Sequence, residues 1–584
     1  MHTPKSLMRF LAMFAIAPML LIAMLGMALS LPAEARGQTY TFGQWAAAQG
    51  YSPGDVMPIN VGAVRASPAI TSLAGIGDYN WTTTPTRVLA LYENQISSIE
   101  SGDFSSVTNL ETLILDRNLI SSVESGDFSG LTNLRALFLQ ENLVSSVEPG
   151  DFTGLTNLRG LLMNRNLISS IDPGDFGELT SLTQLELGRN QISSIEPGDF
   201  SALPTLRILK LDNNQISSID PGDFSGLSSL TALELDGNRI SSIEPGDFGG
   251  LGNLTWLDMD RNQISSIEPG DFSDMPKLRT FRLGGNHISS IDAGDFSNLP
   301  NMLTLKLNDN QIPSIEPGSF GGMPNLQMLI LERNRISSIE SGDFSTMTNL
   351  GMLYLGGNDI SSIESGAFGG MNLGSLYLDG NDITSIGSGA FSNLMNLRTL
   401  SLSNNRSMTH LNMEGAGFSS LLQKFHVGGN TDITSVSLKD AVLNQTSLET
   451  LLDGGTSYYT GIGELGGITE LDLSGVDFSQ ITDLAPLGAM DDLTDLWLLD
   501  VSNMDAVELD SLLDNLATMQ AAAIEGILYL TPDDYNALNT AGGGLLAAWD
   551  NEDGHHVEIV PEPATLSLLA LGGLAVIRRR RRKQ

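Results

Sequence analysis

Residues 182–205, which read LTQLELGRNQISSIEPGDFSALPT, decide the fold of this chain because variants of this segment follow one another along the sequence. The shared pattern is LxxLxLxxNxIxxIxxGxFxxLxx. Its asparagine recurs every 24 residues at positions 94, 118, 142, 166, 190, 214, 238, 262, 286, 310, 334 and 358, and then stands at 381 and 405. A period of this length is typical of a solenoid, in which each repeat buries its apolar face against its neighbours. We therefore expect fourteen stacked repeats, with one deletion.

Each repeat is expected to contain one short β-strand. In Leu185-Glu186-Leu187 two leucines flank an outward residue, and this alternation is typical of a strand with one buried face. Strands of successive repeats would pair in parallel, about 4.8 Å apart. Asn190 follows the strand in a segment rich in leucine, so we expect its amide to be buried and to hydrogen-bond the backbone of adjoining turns.

The rest of the repeat is expected to complete the core and return the chain. Ile192, Ile195 and Phe200 would fill the core behind the strand, and Gly198 would permit a tight turn. The pattern resembles the leucine-rich repeat in its 24-residue form, found mostly in extracellular proteins, over about 60% of the chain. The resemblance implies an α/β solenoid, a leucine-rich-repeat horseshoe with a parallel concave β-sheet, short helical or irregular convex segments and divergent capping regions.

The composition excludes several other classes of protein. The chain has 584 residues, more than one compact core organises, and its 41% hydrophobic content is too high for an acidic disordered polymer. It contains no cysteine, so the sequence excludes disulfides, thiolate metal sites and cysteine nucleophiles. Its 68 acidic and 30 basic side chains give a formal net charge of −38, which argues against nucleic acid as a partner because phosphates would be repelled.

Residues 1–35 are typical of a secretory signal peptide. Lys5 and Arg9 precede an apolar run from residue 10 to about residue 31, and Ala33 and Ala35 supply the small-x-small pattern that signal peptidase cleaves. The apolar run is long enough to span a bilayer, so an uncleaved anchor is the alternative interpretation. No twin arginine precedes the run, which favours the Sec export route.

A second targeting pattern lies at residues 561–584. Pro561, Glu562 and Pro563 are followed by fourteen uncharged, mostly apolar residues and then by six cations. The cations that begin this cluster are Arg578, Arg579 and Arg580. The apolar run is shorter than the roughly 20 residues of a stable transmembrane helix, and the cations would hold it on the cytoplasmic side. A simple tail anchor is the alternative interpretation.

The order of these three features resembles the PEP-CTERM sorting signal of exported bacterial proteins. The resemblance implies that an exosortase recognises Pro-Glu-Pro during a transient contact of the C-terminal segment with the inner membrane. It also implies delivery to the cell envelope, the cell surface or an extracellular matrix. Loss of residues 1–35 and 564–584 would remove eight basic side chains and one acidic side chain. The mature chain would then carry 22 basic and 67 acidic side chains, a formal net charge of −45.

The sequence divides into six predicted segments. They are a signal peptide at 1–35, an N-terminal cap at 36–86, regular leucine-rich repeats at 87–430, divergent repeats with a C-terminal cap at 431–549, a polar tether at 550–560 and the sorting signal at 561–584. Trp45 and Trp81 belong to the N-terminal cap, which is needed because a solenoid exposes its core at both ends. Residues 471–473 and 496–498 resemble strands that lack the asparagine, and residues 506–524 are expected to form a helix.

Little in the sequence supports catalysis, and we predict that the protein is not an enzyme. It has no phosphate-binding loop, nucleophile elbow, zinc-protease motif or EF-hand. His555 and His556 lie close to Glu552 and could hold a metal, but a polar tail is the favoured interpretation. No metal site is therefore predicted there.

Hydrolysis of a matrix polysaccharide would need paired carboxylates in a cleft. The candidates for such catalytic carboxylates are the outward strand residues Glu186, Glu234 and Asp258. Lys210 and Arg282 stand at the same position of neighbouring repeats, which indicates ordinary cross-strand charge pairing instead.

Paired carboxylates also recur in the turns of the repeats. Glu196 and Asp199 have equivalents in most repeats, within Ile-Glu/Asp-Pro/Ser-Gly-Asp-Phe. Like charges stacked near 5 Å repel each other, and Ca²⁺, which prefers oxygen ligands, could bridge them. In the favoured interpretation the aspartate instead caps the short turn by bonding free backbone amides. Calcium is the only cofactor that the sequence suggests.

Ligand binding in this fold usually uses the concave face, so outward strand residues are the candidate binding residues. Between the two strand leucines, the residue is apolar in early repeats, charged in middle repeats and aromatic in late ones, whereas core positions repeat almost verbatim. The candidates are Phe138, Leu162, Glu186, Lys210, Glu234, Trp256, Asp258, Arg282, Lys306, Tyr354 and Tyr377. If Phe138, Trp256 and the two tyrosines are exposed, their rings could anchor a protein ligand or stack on the sugar rings of a polysaccharide.

Two functions follow from this surface. In the first, the protein binds a protein or polysaccharide in adhesion or another envelope interaction. In the second, it is a structural acidic matrix component that binds cations without a specific ligand, and variation of the outward residues is neutral.

Overall fold

The computed structural model describes residues 39–53, 69–79, 87–392, 394–418, 421–443, 447, 450–451, 470–473, 495–497, 527–530 and 556–559. The chain divides into two compact units, of which the first comprises Met1–His287 and Ser297–Leu299 and the second Ile288–Phe296 and Pro300–Gln584. No helix within these described residues has the length and apolar character that crossing a membrane requires.

The first unit begins with a small α/β element. Its parts are strand β1 (Thr39–Thr41), helix α1 (Phe42–Ala48), strand β2 (Ala69–Ser72) and a 3-10 helix (Ile76–Asp78). Strands β1 and β2 pair in parallel. Thr41 and Gln44 form a capping box that satisfies backbone amides at the start of α1.

Aromatic packing helps to hold this element together, and hydrogen bonds link it to the first repeat. The ring of Phe42 lies 5.5 Å from that of Trp45 and 6.0 Å from that of Tyr79. The amide of Ile70 donates to the side-chain oxygen of Asn94 at 3.1 Å, as equivalent amides do in later repeats. The boundaries of the predicted cap at 36–86 stay predictions, and Trp81 lies outside the described residues.

Three-residue strands of the first unit form a parallel ladder. They are β3 (Val88–Ala90), β4 (Thr112–Ile114), β5 (Ala136–Phe138), β6 (Gly160–Leu162), β7 (Gln184–Glu186), β8 (Ile208–Lys210), β9 (Ala232–Glu234), β10 (Trp256–Asp258) and β11 (Thr280–Arg282). Residues 24 positions apart face each other, as Leu185 faces Leu209. This register confirms the predicted solenoid of parallel strands.

The second unit continues the same pattern of short strands. Its first ladder contains β12 (Thr304–Lys306), β13 (Met328–Ile330), β15 (Met352–Tyr354), β17 (Ser375–Tyr377), β19 (Thr399–Ser401) and β21 (Lys424–His426). A three-stranded sheet contains β14 (Ser338–Ile339), β16 (Ser362–Ile363) and β18 (Ser385–Ile386). The convex side of the regular repeats is built from turns and extended segments.

A further parallel sheet of the second unit reaches toward the C-terminus. In order it contains β20 (His410–Asn412), β22 (Ser435–Ser437), β23 (Glu470–Asp472), β24 (Asp495–Trp497), β25 (Ile527–Leu530) and β26 (His556–Ile559). Strands β23 and β24 lie where decayed strands were predicted. Residues 556–559 of the predicted tether at 550–560 form strand β26, which pairs in parallel with β25. The predicted helix at 506–524 lies outside the described residues.

The core is filled by columns of identical side chains. Ile192, Ile195 and Phe200 are buried in it, as predicted. Phe104, Phe128, Phe152 and Phe176 stack at successive centroid distances of 6.4, 6.2 and 6.3 Å. Each aromatic pair contributes about 0.5–1.5 kcal/mol beyond the burial of its area, so this column stabilises the contact between repeats.

The recurring asparagines form a buried hydrogen-bonded ladder. The amide nitrogen of Asn190 donates to the carbonyl oxygens of Leu187 at 2.9 Å and Met163 at 3.1 Å, and its oxygen accepts from the amide of Ile168 at 3.1 Å. Asn381, which follows the one-residue deletion, still donates to the carbonyls of Leu378 and Leu355 at 3.0 Å. The predicted bonding of the asparagine to adjoining turns is confirmed.

The aspartates of the convex turns bond backbone amides. One carboxyl oxygen of Asp199 accepts from the amide of Glu196 at 2.8 Å, and the amide of Asp199 donates to the carbonyl of Glu196 at 3.2 Å. Gly198 between them has φ of 111°, a left-handed conformation that favours glycine. The geometry expected of a capping aspartate is therefore present.

Candidate ligand-binding surface

The outward residues of the first strands form an apolar cluster. Ala90, Ile114, Ala136, Phe138 and Leu162 pack together, and Val88 and Tyr92 contact the cluster. Phe138 is only 2% exposed and Leu162 only 6%. The expectation that Phe138 is an exposed anchor is therefore wrong, because neighbouring outward side chains are themselves apolar and bury it.

The middle strands carry alternating charges that pair across the ladder. The ammonium nitrogen of Lys210 lies 3.6 Å from a carboxylate oxygen of Glu186 and 3.4 Å from one of Glu234. Burial lowers the pKa of Lys210, but the two carboxylates outweigh burial and raise it. Burial raises the pKa of Glu234, and Lys210 opposes that rise. The cross-strand pairing expected of Lys210 is thus present.

Trp256, Asp258 and Arg282 form a compact group on two adjoining strands. The guanidinium carbon of Arg282 lies 4.4 Å from the centre of the Trp256 ring, and one of its nitrogens lies 3.0 Å from a carboxylate oxygen of Asp258. Asp258 is buried and Trp256 is half-buried. Since the carboxylate fixes the guanidinium and the guanidinium covers one indole face, the tryptophan is held in one orientation.

The second unit contributes Lys306 and an aromatic pair. Tyr354 and Tyr377 stack with ring centroids 4.6 Å apart and planes 7° from parallel, while each ring is half-buried. Burial and then the neighbouring Tyr377 raise the pKa of Tyr354, so the Tyr354 phenol is neutral at ordinary pH. The half-buried Lys306 stands at the same position of strand β12.

The structure reveals an exposed row of leucines that was not predicted from the sequence. Leu119, Leu143 and Leu167 are 46%, 44% and 42% exposed and stand one residue after the ladder asparagine in consecutive repeats. Later repeats carry glutamine at this position, for example at residues 191 and 215. The row could have been found in the sequence by comparing the residue that follows each ladder asparagine, which changes from leucine to glutamine along the chain.

Several predicted sites belong to parts of the chain that the structure does not describe. Signal cleavage at Ala33 and Ala35 and sorting at Pro561, Glu562, Pro563 and the arginines all lie outside the described residues, as does His555. In the part of the chain that the structure describes, no group of three or more acidic, histidine or cysteine side chains could hold a metal ion.

Comparison with protein families agrees with this geometry. A family model described as leucine rich repeat matches residues 85–144, 133–192, 182–240, 228–288, 276–336, 324–383 and 372–431. The chain is a leucine-rich repeat protein. This leucine-rich repeat protein also matches the PEP-CTERM protein-sorting motif at residues 560–582, which confirms the predicted sorting signal and marks an exported, envelope-associated protein.

Solved structures similar to this leucine-rich repeat protein include two from bacteria. A leucine-rich repeat protein of Leptospira interrogans is 26% identical, covering 54% of this chain and 78% of its own, with a TM-score of 0.48. An internalin of Listeria monocytogenes is 24% identical, covering 53% of this chain and 85% of its own, with a TM-score of 0.43. No curated protein matches the chain.

Proposed function

We propose that the mature chain is a non-enzymatic binding protein of the bacterial cell surface whose concave strand face recognises a protein ligand. Support comes from the contrast between the two faces of each strand. Inward residues such as Leu209 and Leu233 are fully buried, and their position is leucine or phenylalanine in every strand of the two repeat ladders, whereas the outward neighbours Lys210 and Glu234 differ in charge. Packing of the ladder constrains the identity of the inward residues only. The outward residues are therefore free to vary and can complement the surface of a partner.

The stacked pair of Tyr354 and Tyr377 is the anchor that carries this proposal. Both rings stand on outward strand positions and remain partly accessible. Stacking at 4.6 Å already restricts their rotation, so little side-chain entropy is lost when a ligand covers them. Buried aromatic anchors are the residues that dominate binding energy at protein interfaces. In the first unit, Trp256 beneath Arg282 is an anchor of the same kind.

Adhesion or another envelope interaction is the biological use that we propose. Export through the signal peptide and the PEP-CTERM motif would place the solenoid where surface molecules are accessible. Glu186, Glu234 and Asp258 each lie within 3.0–3.6 Å of a cation, an arrangement that suits structural pairing better than acid–base catalysis.

Retention on isolated envelopes of the producing cells tests the binding proposal. We would add purified mature protein and compare the wild type with the double variant Tyr354→Ala/Tyr377→Ala. Loss of two aromatic anchors should weaken retention at least about tenfold. Met395→Ala is the matched control, because it removes an exposed apolar side chain outside the strands of the same unit. Equal retention of the wild type and the tyrosine variant would refute recognition by this face.

Treatment of the envelopes separates the classes of ligand. Protease digestion before the assay should abolish retention if the ligand is a protein, whereas a polysaccharide ligand would survive. If the wild type and the tyrosine variant are retained equally and a chelator abolishes the retention of both, the alternative is favoured. In that alternative the protein is a structural acidic component that binds cations without a specific ligand.

A further inference from the structure

A column of buried aspartates runs along the convex turns of the first unit. We call its members the aspartate column, and they are Asp175, Asp199, Asp223, Asp247 and Asp271. Each is only 1–2% exposed. Ionised carboxylates are almost never buried unless a cation or several donors compensate them, so the protonation state of this column needs an explanation.

Only one oxygen of each carboxyl group is satisfied. In Asp199 and Asp223, Oδ2 accepts from the amide three residues earlier at 2.8 Å, and in Asp247 at 2.7 Å. The other oxygen, Oδ1, is buried and has no hydrogen-bond partner among the described residues. A carboxylate in this setting has lost its water and recovered only half of its hydrogen bonds.

Unsatisfied carbonyl groups recur with the same period. Ile171, Ile195 and Ile219 lie 28 residues before Asp199, Asp223 and Asp247. Within the described ranges, no hydrogen bond reaches the carbonyl oxygens of these three isoleucines. The repeats of Asp199, Asp223 and Asp247 therefore each contain an unpaired carboxyl oxygen, and the repeat before each of them contains an unpaired carbonyl oxygen.

One repeat indicates how these two oxygens are related. Ser319 replaces the aspartate there, and its hydroxyl accepts from the amide of Glu316 at 3.2 Å. The same hydroxyl donates to the carbonyl oxygen of Ile291, 28 residues earlier, at 2.8 Å. A donor at this position thus reaches the carbonyl that an ionised aspartate would leave unsatisfied.

We propose that the aspartate column takes up protons in the folded protein and that each Oδ1–H donates to the isoleucine carbonyl 28 residues earlier. The proton comes from solvent, and no other bond is made or broken. Protonation adds one hydrogen bond between each pair of adjacent repeats and removes a buried charge. Mild acid therefore stabilises the contacts between adjacent repeats of the solenoid.

The electrostatic surroundings agree with proton uptake. The titratable groups that face Asp199 are Glu196 of its own turn and Asp172 of the preceding repeat, and those that face Asp223 are Asp220, Glu196 and Asp199. All of them are carboxylates. Burial is the main cause that raises the pKa of Asp199 and Asp223 from 3.8 to about 6.

The sign of the effect on stability follows from this rise. The folded state holds the proton more tightly than the unfolded state, whose aspartates titrate near their ordinary pKa. Stability should increase as pH falls through about 6 and should reach its full gain below about 3.8. The gain is lost as pH rises again through about 6.

Thermal unfolding of two triple variants tests this proposal. Asp199→Ser/Asp223→Ser/Asp247→Ser introduces the residue that position 319 already uses. The control Glu196→Gln/Asp220→Asn/Glu244→Gln removes the same number of charges from exposed positions of the same turns. The wild type should gain at least about 3 °C in Tm between about pH 7.5 and pH 5. The control should keep most of that gain, because burial is the main cause of the raised pKa, whereas the serine variant should gain clearly less.

The serine variant should also have a higher Tm than the wild type at about pH 7.5, because it retains the donor and carries no buried charge. Equal pH slopes for all three proteins would assign the effect to general charge repulsion and overturn the proposal. Carboxyl-carbon NMR of the wild type gives a second readout that does not depend on a variant. Midpoints near 6 are expected for Asp199 and Asp223, and midpoints at the ordinary value of an aspartate for the whole column would also overturn it.

Discussion

The side-chain amide of Asn262 donates a 3.0 Å hydrogen bond to the carbonyl oxygen of Leu235, which lies 27 residues earlier. The same nitrogen donates to the carbonyl of Met259 at 3.1 Å, and the side-chain oxygen accepts from the amide of Ile240 at 3.1 Å. One buried side chain therefore satisfies backbone groups of two successive repeats. Because the side chain is buried and bonds both repeats, each asparagine fixes the distance between its repeat and the previous one.

Replacement of Asn262 by alanine should be strongly destabilising. Three buried backbone groups lose their partner, and we expect the free energy of unfolding to fall by about 2–4 kcal/mol. Chemical denaturation measures this change. Gln263→Ala is the control, since Gln263 is the exposed next residue and its loss should change stability by less than about 0.5 kcal/mol. Similar losses for both variants would contradict the role given to the ladder.

Arg189 occupies a left-handed conformation, with φ of 58°, immediately before a ladder asparagine. The left-handed conformation costs a non-glycine residue about 1–2 kcal/mol of folding free energy. A glycine avoids this cost but loses more conformational entropy on folding, which costs about 0.5–1 kcal/mol. Arg189→Gly should therefore stabilise the protein by about 0.5–1 kcal/mol. Arg239 is also exposed and has no positive φ, so Arg239→Gly should destabilise the protein. Denaturation midpoints that move in the same direction would disprove this explanation.

The ion pair of Arg282 and Asp258 should be coupled energetically. Arg282→Met removes the cation from a buried carboxylate and should cost about 1–3 kcal/mol, whereas adding Asp258→Asn should recover part of that loss. A double-mutant cycle measured by chemical denaturation gives the coupling energy. Additive effects of the two substitutions would mean that the observed contact contributes nothing to stability.

Calcium binding by the convex carboxylates stays a hypothesis, and the turn geometry offers a reason to expect none. The carboxyl oxygen of Asp199 that bonds Glu196 already has a backbone donor, and the side chain is almost fully buried. We expect addition of Ca²⁺ or of a chelator to shift Tm by less than about 1 °C. A clear rise with Ca²⁺ that the chelator reverses would instead establish a calcium site.

The sequence predicts the ladder well because its signal is periodic. Leu185, Asn190 and Phe200 each recur at a fixed interval, and a fixed interval determines register, inward direction and bonding partner together. Exposure of outward residues could not be predicted in the same way. Whether Phe138 is buried depends on Ile114 and Leu162 in neighbouring repeats, whereas its exposure was predicted from its own position alone.

The chemistry of the turns was only half predictable. The amide bond accepted by Asp199 follows from the residue type, but its second oxygen and the carbonyl of Ile171 become apparent only when adjacent repeats are placed together. The strand His556–Ile559 escaped prediction for a related reason. Its sequence is polar, and its pairing partner Ile527–Leu530 lies outside the regular repeat.

The deletion before Asn381 has a consequence for how this molecule can change. Asn381 keeps its bonds to Leu378 and Leu355 although its repeat is one residue short, because no bond of the ladder reaches beyond the adjacent repeat. A gene that gained or lost a whole 24-residue segment by recombination would therefore leave every remaining partner in place. The area offered to a ligand can grow or shrink in equal steps without any redesign of the core.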